Sequence, residues 1–397
     1  MAWADDNTIV NSTIVAKESL RMLENELVMA KLVHRDWENK FGKDGATLGI
    51  RKANKFRATK ARVRVGSALA ESNLTLTQAT QVHVSFEWDT VEMTQSIDRI
   101  KERYIEPAMS AIANVVDVDL FDLYLDIYNQ VGTPGTAPSD YDIYVDAARR
   151  MNEEAVPLGN RHVVVNPKAQ AETLKGLKGL FNEKLINGII TKADIGSLAG
   201  FDFHMAQNVQ VHTTGYFTTG ATPLVDGASQ TGTTLLSKGW GGSNDLHEGD
   251  VFTVTGVYAV NPKTGESTGE LRNFVVTAQI NDTAAAIDIP IYPSIVTSGA
   301  LQTVDASPAD EAPITLVGTE STGYPINLAF HKDCLTLAMR PLEIPGSAVW
   351  GSRESYNGLS VRAIKAYDID EDTEILRFDI LKGDLCQYPE LGVRIIG

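Results

Sequence analysis

The stretch Gly249–Ile280, GDVFTVTGVYAVNPKTGESTGELRNFVVTAQI, decides how the chain is to be divided. Its two ends are rich in Val, Phe and Thr, and the polar segment between them carries the Asn, Pro and Gly of a turn. It therefore reads as two β-strands joined by a polar hairpin. Well upstream the pattern is different: between Ile14 and Val33 the apolar residues Leu20, Leu23, Leu27 and Val28 recur among Lys and Glu at the spacing of one buried helical face. The change in character begins with TTGYFTTGATPLVDGASQTGTTLLSKGWGGSN, rich in Gly, Thr and Ser and poor in charge. Strand signals then dominate to about Val317. A β-unit from about Val211 to Pro325, flanked on both sides by sequence of other character, is read as an insertion into a loop of a host domain. Insertions succeed at exposed loop tips, where both ends of the insert can lie close together.

The host reads as mixed α and β. FGKDGATLGIRKANKFRATKARVRVG is expected to form a long hairpin, because KDG is a turn signal and the scattered apolar residues cannot build a core. VHVSFEWDTVEM alternates Val82, Val84, Phe86 and Trp88 as a strand requires. The period then changes: Ile97, Ile100, Tyr104, Ala108, Ile112, Val115 and Leu123 follow helical spacing. Pro107 either kinks that helix or begins a second segment. SDYDIYVDAARRMNEEAV (helix), RHVVVNP (buried strand), KAQAETLKGLKGLFN (helix) and GFDFHMAQNVQVH (strand) alternate as in an α+β or α/β module. Mixed character returns with HKDCLTLAMRPL, the alternating strands LSVRAIKAYDI and EILRFDILKG, and a final GVRIIG.

At 397 residues the chain suggests two or three domains. With 43% hydrophobic and 22% charged residues it has the make-up of a globular protein, and no apolar run approaches the roughly 18 residues of a membrane span. The opening MAWADDNTIVNST has no basic region before an apolar core and does not read as a secretory signal. Cys334 and Cys386 are too few for a disulfide framework and lack a C-x-x-C spacing, which fits a reducing cytoplasm. The net charge of −16 argues against non-specific nucleic-acid binding by the surface as a whole.

Catalytic and metal constellations are not expected. The sequence has no phosphate loop, dinucleotide fingerprint, H-E-x-x-H or G-x-S-x-G, and its seven histidines show no metal-ligand spacing. His331 and Cys334 could meet on one helical turn as a thiol with its base, against the plainer reading of a buried structural cysteine. Asp368, Asp370 and Asp372 mimic the start of a calcium loop, but Thr373 stands where the turn needs Gly, so a solvated turn is expected. In LKGDL a tight turn is expected at Gly383.

Charge is unevenly spread. From Lys31 to Arg64 eleven basic residues stand against three acids, a local balance of +8 that leaves −24 for the rest. Aromatic residues there are sparse, so base stacking is weakly supported. The stretch reads as a docking surface for an acidic partner, of which the nearest abundant one is another copy of the same chain, as a solvated hairpin, or as a nucleic-acid arm.

The order of these elements resembles the major capsid proteins of tailed bacteriophages, and more specifically the podovirus coat-protein family that carries an inserted β-barrel. GATLGIRKANKF resembles the extended loop that reaches over a neighbouring subunit, and SIDRIKERYIEPAMSAIANVVDVDLF resembles the spine helix of the peripheral domain. RHVVVNPKAQAETL and IGSLAGFDFHMAQNV resemble the central strand, helix and hairpin of the axial domain, and CQYPELGVRIIG the strand that closes the fold. The resemblance implies the α+β tailed-phage capsid (Johnson) fold. Its parts would be an N-terminal arm (1–35), an extended loop (36–72), a peripheral domain with spine helix (73–137), an axial domain (138–210 and 326–372), an inserted β-barrel (211–325) and peripheral return strands (373–397).

It further implies a major capsid protein that self-assembles as hexamers and pentamers into an icosahedral shell. Such a shell is built with a scaffolding protein and a portal in the host cytoplasm, and it encloses double-stranded DNA without sequence-specific binding. The mature location is the virion, with no membrane, cofactor, metal or catalytic residue. Arg51, Lys52, Lys55 and Arg57 of the extended loop are the expected subunit-interface residues, and Pro107 the expected kink of the spine helix. One departure stands out: the first half of the insertion is nearly uncharged, where the resembled proteins use a charged loop between capsomers. The competing readings are a cellular nanocompartment shell of the same fold and, from another class, a carboxylate-dependent glycosidase or carbohydrate-binding protein.

Overall fold

In a computed structural model, the structure describes residues 12–37, 47–57, 60, 62–63, 72–89, 104–177, 195–217, 221–241, 244–346, 348, 350–356 and 359–397. The KDG turn and the stretch 90–103 that opens the expected spine helix lie outside them. The chain forms two compact units: 1–50 with 73–120 and 335–385, and 51–72 with 121–334 and 386–397.

In the first unit the helix Ser12–Glu26 buries Val15, Ala16, Ser19, Leu20 and Leu23, a stripe at helical spacing, and packs on the strands Trp350–Tyr356 and Leu359–Asp368. Those strands belong to a five-stranded sheet completed by Thr373–Cys386, Leu335–Arg340 and Thr80–Asp89. Thr80–Asp89 runs antiparallel to Thr373–Lys382 along its whole length. On its alternating face Phe86 packs between Tyr104 (ring centroids 5.6 Å) and Phe378 (6.2 Å). The turn between Asp368 and Thr373 closes a simple hairpin, the solvated turn expected of DIDED. Gly383, expected in a tight turn, lies instead inside the strand Thr373–Cys386. A Cβ there would come within 2.4 Å of the Thr77 carbonyl oxygen, so close backbone approach and not turn geometry requires glycine.

Asp117, on the helix Glu106–Asp122, accepts from the backbone N–H groups of Val28 (2.8 Å), Met29 and Ala30. It thereby caps the short helix Met29–Leu32. Burial pushes its carboxyl up to about 6 in spite of these bonds.

The second unit is built on a seven-stranded mixed sheet in the order Gln130–Val131, Gly392–Ile396, Gly323–His331, Arg161–Val165, Phe201–Met205, Ser197–Leu198, with Val211–Thr213 also paired to Gly323–His331. Arg161–Val165, the helix Pro167–Gly176 and the parallel strand Phe201–Met205 form a βαβ unit. Asn166 caps its helix by accepting from the Ala169 N–H at 2.6 Å. The core joins Tyr144, Ala147 and Met151 of the helix Tyr141–Glu153 to Val163, Phe203, Ala329, Val393 and Ile395 of the sheet.

Residues between Val211–Thr213 and Gly323–His331 form a β-unit with a core of its own around Trp240, Phe252, Phe274, Ile289 and Val304. Its six-stranded sheet runs Leu224–Val225, Gly232–Lys238, Ala286–Ile295, Ser267–Val276, Val251–Val260, Ile314–Leu316. A bridge from Leu224 to Pro313, with Ile314 N–H bonded to the Pro223 carbonyl, joins the two edges and closes the sheet into a barrel. The hairpin of the opening stretch is present. Val251–Val260 pairs with Ser267–Val276, and the Asn261 side chain accepts from Lys263 and Thr264 N–H to set the turn.

The chain leaves and re-enters the host on neighbouring strands, Val211–Thr213 pairing antiparallel with Gly323–Pro325. Val211–Thr213, expected inside the insertion, is therefore a strand of the host sheet. GFDFHMAQNVQVH is two strands separated by a turn. The C-terminal segments also divide differently from expectation. Residues 335–385 lie in the first unit, because Leu335–Arg340 shares a sheet with Thr373–Cys386. Gly392–Ile396 lies in the second, because it pairs with Ile326–Phe330. Residues 121–137, expected with the spine helix, are in the second unit as well.

Candidate assembly site

The four basic residues expected at a subunit interface follow one another out of the strand Thr47–Arg51. Arg51 ends that strand with its side chain exposed. Lys52 donates its backbone N–H to the Ser72 carbonyl (2.9 Å), and its Nζ lies 5.7 Å from the centroid of the Tyr388 ring. Lys55 Nζ bonds to Glu390 Oε1 at 3.1 Å. Arg57 donates to Gln302 Oε1 at 2.8 Å and lies against Gly265 at the tip of the inserted hairpin, where a Cβ would come within 2.5 Å of Nη1. Lys52, Lys55 and Arg57 thus tie the root of the extended segment to the body of their own chain, at Tyr388–Glu390 and at the insertion. Farther along the segment, Phe56 is 64% and Val63 77% exposed, beside the exposed side chains of Lys60 and Arg62.

Beneath this root lies a half-open cavity of about 310 Å³, lined by Lys52, Lys55, Tyr128, Arg272, Tyr292 and Leu301 among others. Its floor is an ion pair between Arg272, on the inserted strand Ser267–Val276, and Glu154, at the end of the host helix Tyr141–Glu153. Both side chains are buried, and the Arg272 guanidinium sits 4.6 Å from the Tyr128 ring centroid. Burial opposes its charge, but the adjacent Glu154 carboxylate prevails and holds its pKa above the usual arginine value. Burial likewise pushes the Tyr128 and Tyr292 phenols well up. Around the pair, Arg149 and Arg150 reach Glu270, and Asn273 donates to the Gln130 carbonyl.

A second polar junction holds the stem of the insertion. His212 Nε2 is 3.0 Å from Asp250 Oδ1, and its Nδ1 3.0 Å from the Tyr124 hydroxyl. Asp250 also accepts from the N–H groups of Gly215 and His247. Arg394, fully buried on the last strand, donates to the Gly249 (2.6 Å) and Leu125 (2.9 Å) carbonyls. Burial pulls Arg394 down to about 10 although Tyr124 and Asp250 favour its charge.

Pro107 lies, exposed, in the first turn of Glu106–Asp122, preceded by a π-helical step at Tyr104–Ile105. His331 and Cys334 are not on a helix: His331 ends a strand, and Cys334 follows in a turn with its N–H bonded to the His331 carbonyl. His331 Nδ1 accepts from the Asp333 N–H at 3.2 Å. Among the described residues no group of three or more His, Cys, Asp or Glu could hold a metal, and no helix is long and apolar enough to cross a membrane. Sequence reasoning missed Glu154, Arg272, Arg394 and Gln302, since each is defined by a partner more than a hundred residues away.

Residues 231–397, somewhat less than half of the chain, match the family described as P22 coat protein, gene protein 5. The Major capsid protein of Acyrthosiphon pisum secondary endosymbiont phage 1 is 21% identical over 421 residues, spanning 97% of this chain and 97% of that protein. Among solved structures, that of Mycobacterium phage Che8 is 15% identical over 93% of this chain and 90% of its own, with a TM-score of 0.48. That of Mycobacterium phage Ogopogo is 8% identical over 93% and 91%, with a TM-score of 0.47. The family pattern in residues 231–397 and the full-length alignment agree with the resemblance carried by the loop, spine-helix and strand motifs: the chain is similar to the P22 coat protein over its C-terminal part and to a phage major capsid protein over nearly its whole length.

Proposed function

We propose that this chain assembles with copies of itself, as hexamers and pentamers, into the icosahedral shell that encloses the double-stranded DNA of a tailed phage. Assembly takes place with a scaffolding protein and portal in the host cytoplasm. The role is structural, without catalysis: a shell needs large complementary surfaces, and many modest contacts closed by symmetry give collective stability. In this reading the first unit is the peripheral domain, and the second is the axial domain carrying the insertion.

The observation that carries the proposal is the extended basic segment. Its root is fastened by Lys55–Glu390 and Arg57–Gln302, while Phe56 and Val63 stand exposed among cations on a chain that is otherwise strongly acidic. Exposed apolar groups inside a charged rim are the make-up of a protein interface. The segment docks on an acidic surface of the neighbouring subunit, and Pro107 sets a bend in the spine helix that shapes the subunit for the shell.

The test is charge reversal. Lys55 is held by its own chain, so the informative variant reverses the exposed Lys60 and Arg62 to Glu. Closed particles seen by electron microscopy should be lost or reduced while the monomer's melting temperature stays near wild type. Raised salt should weaken wild-type assembly, since exposed pairs are screened over about 8 Å at physiological ionic strength. Unchanged assembly by this double variant removes the docking role. Absence of closed particles from the wild-type protein, even with its scaffolding protein, removes the shell.

A further inference from the structure

The two cysteines, 52 positions apart in the sequence, meet in the fold. Both are buried and free, and Cys334 lies near enough to Cys386 to push its thiol up. The backbones are pinned beside them: the Cys334 carbonyl accepts from the N–H groups of Gln387 (2.8 Å) and Tyr388 (3.2 Å). Such a bond one residue past Cys386 keeps the two segments about 5 Å apart, as in neighbouring strands. That is inside the range of about 4.4–6.8 Å between Cα atoms that a disulfide spans. Gly392 makes the room. Its φ of −120° is open to any residue, yet a Cβ would come within 3.1 Å of Cys334 Sγ and within 2.8 Å of the Ile127 side chain.

The position of the pair is as informative as its contact. Cys334 is the last residue of the second unit before the chain passes into the first, and Cys386 is the first residue after its return. A bond between them would close the whole excursion Leu335–Leu385 into a covalent loop anchored in the second unit.

We infer that Cys334 and Cys386 are a disulfide-forming modification site, closed by a low-molecular-weight disulfide once the protein leaves a reducing cytoplasm. One thiol loses its proton and attacks the small disulfide, forming a mixed disulfide and releasing one small thiol. The second cysteine, after losing its proton, then attacks the protein sulfur of that intermediate and releases the second small thiol. Two protein thiols are oxidised and one small disulfide is reduced. The reaction is slow at neutral pH, because the neighbouring Cys334 and burial hold the Cys386 thiol well above its usual range, with Asp126 and Glu390 adding to the effect. The bond is therefore a staple formed once and not a catalytic dithiol. It restricts the unfolded chain and stabilises the fold.

The full-length protein, folded, is incubated with oxidised glutathione at pH 7 and pH 9. It is then quenched with acid, alkylated in denaturant, digested and mapped by mass. The expected product is a peptide pair joined through Cys334 and Cys386, formed faster at pH 9 and reversed by a reductant. The melting temperature should rise by several degrees, an increase absent in both Cys386→Ser and Cys334→Ser. Full alkylation of both wild-type cysteines after oxidation at pH 9, a stable glutathione adduct on either, or a cross-link between chains on a non-reducing gel would each overturn the assignment. A Cys334–Cys386 bond that leaves the melting temperature unchanged would refute the staple.

Discussion

Glu154→Gln is expected to loosen the insertion from its host at a cost far above that of any surface ion pair. Glu154 and Arg272 have side-chain exposures of 7% and 4%, and Arg272 Nε has no hydrogen-bond partner. Removing the carboxylate charge strands a guanidinium in a site from which it cannot reach water. Breaking such a pair costs about 3–5 kcal/mol. The Tyr128 ring, 4.6 Å away, returns roughly 0.5–2 kcal/mol as a cation–π contact, and the Gln amide oxygen can still accept a bond, so a net loss of about 3 kcal/mol is expected. Replacing both partners with apolar residues of similar size, Glu154→Leu with Arg272→Met, should recover most of that loss. The desolvation penalty of the two charges disappears with them.

Urea unfolding followed by far-ultraviolet circular dichroism and by tryptophan fluorescence, to which the buried core residue Trp240 contributes, measures both effects. Glu270→Gln serves as the control: its bonds to Arg149 and Arg150 are half-exposed and worth less than about 1 kcal/mol. A loss under 1 kcal/mol for Glu154→Gln, or a double variant as unstable as the single one, would refute the reasoning.

Asp117 gives a pH signature. Its folded value of about 6 lies above the ordinary 3.8, so its contribution to stability is full below pH 3.8 and is lost as pH rises through 6. Asp117→Asn, which cannot ionise, should gain about 2 kcal/mol relative to wild type between pH 4.5 and pH 7.5, read from urea midpoints at the two values; a constant difference would mean the carboxyl is not desolvated. The fragment 214–322 should melt cooperatively with a β-type circular dichroism spectrum, because it holds its own buried core; a disordered fragment would show that the core needs the host. Pro107→Ala should stabilise the isolated subunit by up to about 3 kcal/mol and shift the distribution of particle sizes, since helical backbone already precedes the proline at Tyr104–Ile105. Identical particles at matched concentration would remove the bend.

What could be read from the sequence is what local chemistry controls. The helical stripe Val15–Leu23, the strand Thr80–Asp89, the order strand, helix, strand from Arg161 to Met205 and the hairpin Val251–Val276 all rest on periodicity and turn residues that act over a few positions. So does the existence of an inserted β-unit, which shows as a change in composition. Pairing partners are another matter. That Gly392–Ile396 lies beside Gly323–His331 and not beside Thr373–Cys386 depends on which apolar strand faces match, and both candidates are equally apolar to a sequence reader.

The candidate assembly site divides along the same line. The cationic stretch around Arg51–Arg57 is visible because charge can be counted, but its fastening by Glu390 and Gln302 is not, since those contacts bridge 335 and 245 positions. Gly383 shows the limit in a single residue. A glycine flanked by Lys and Asp reads as a turn, and only the Thr77 carbonyl lying against it reveals that the missing Cβ is what the strand requires. Propensity and period are properties of the chain, whereas burial, the pairing of Arg272 with Glu154 and the meeting of Cys334 with Cys386 arise when distant segments exclude water from one another, and tertiary structure alone decides them.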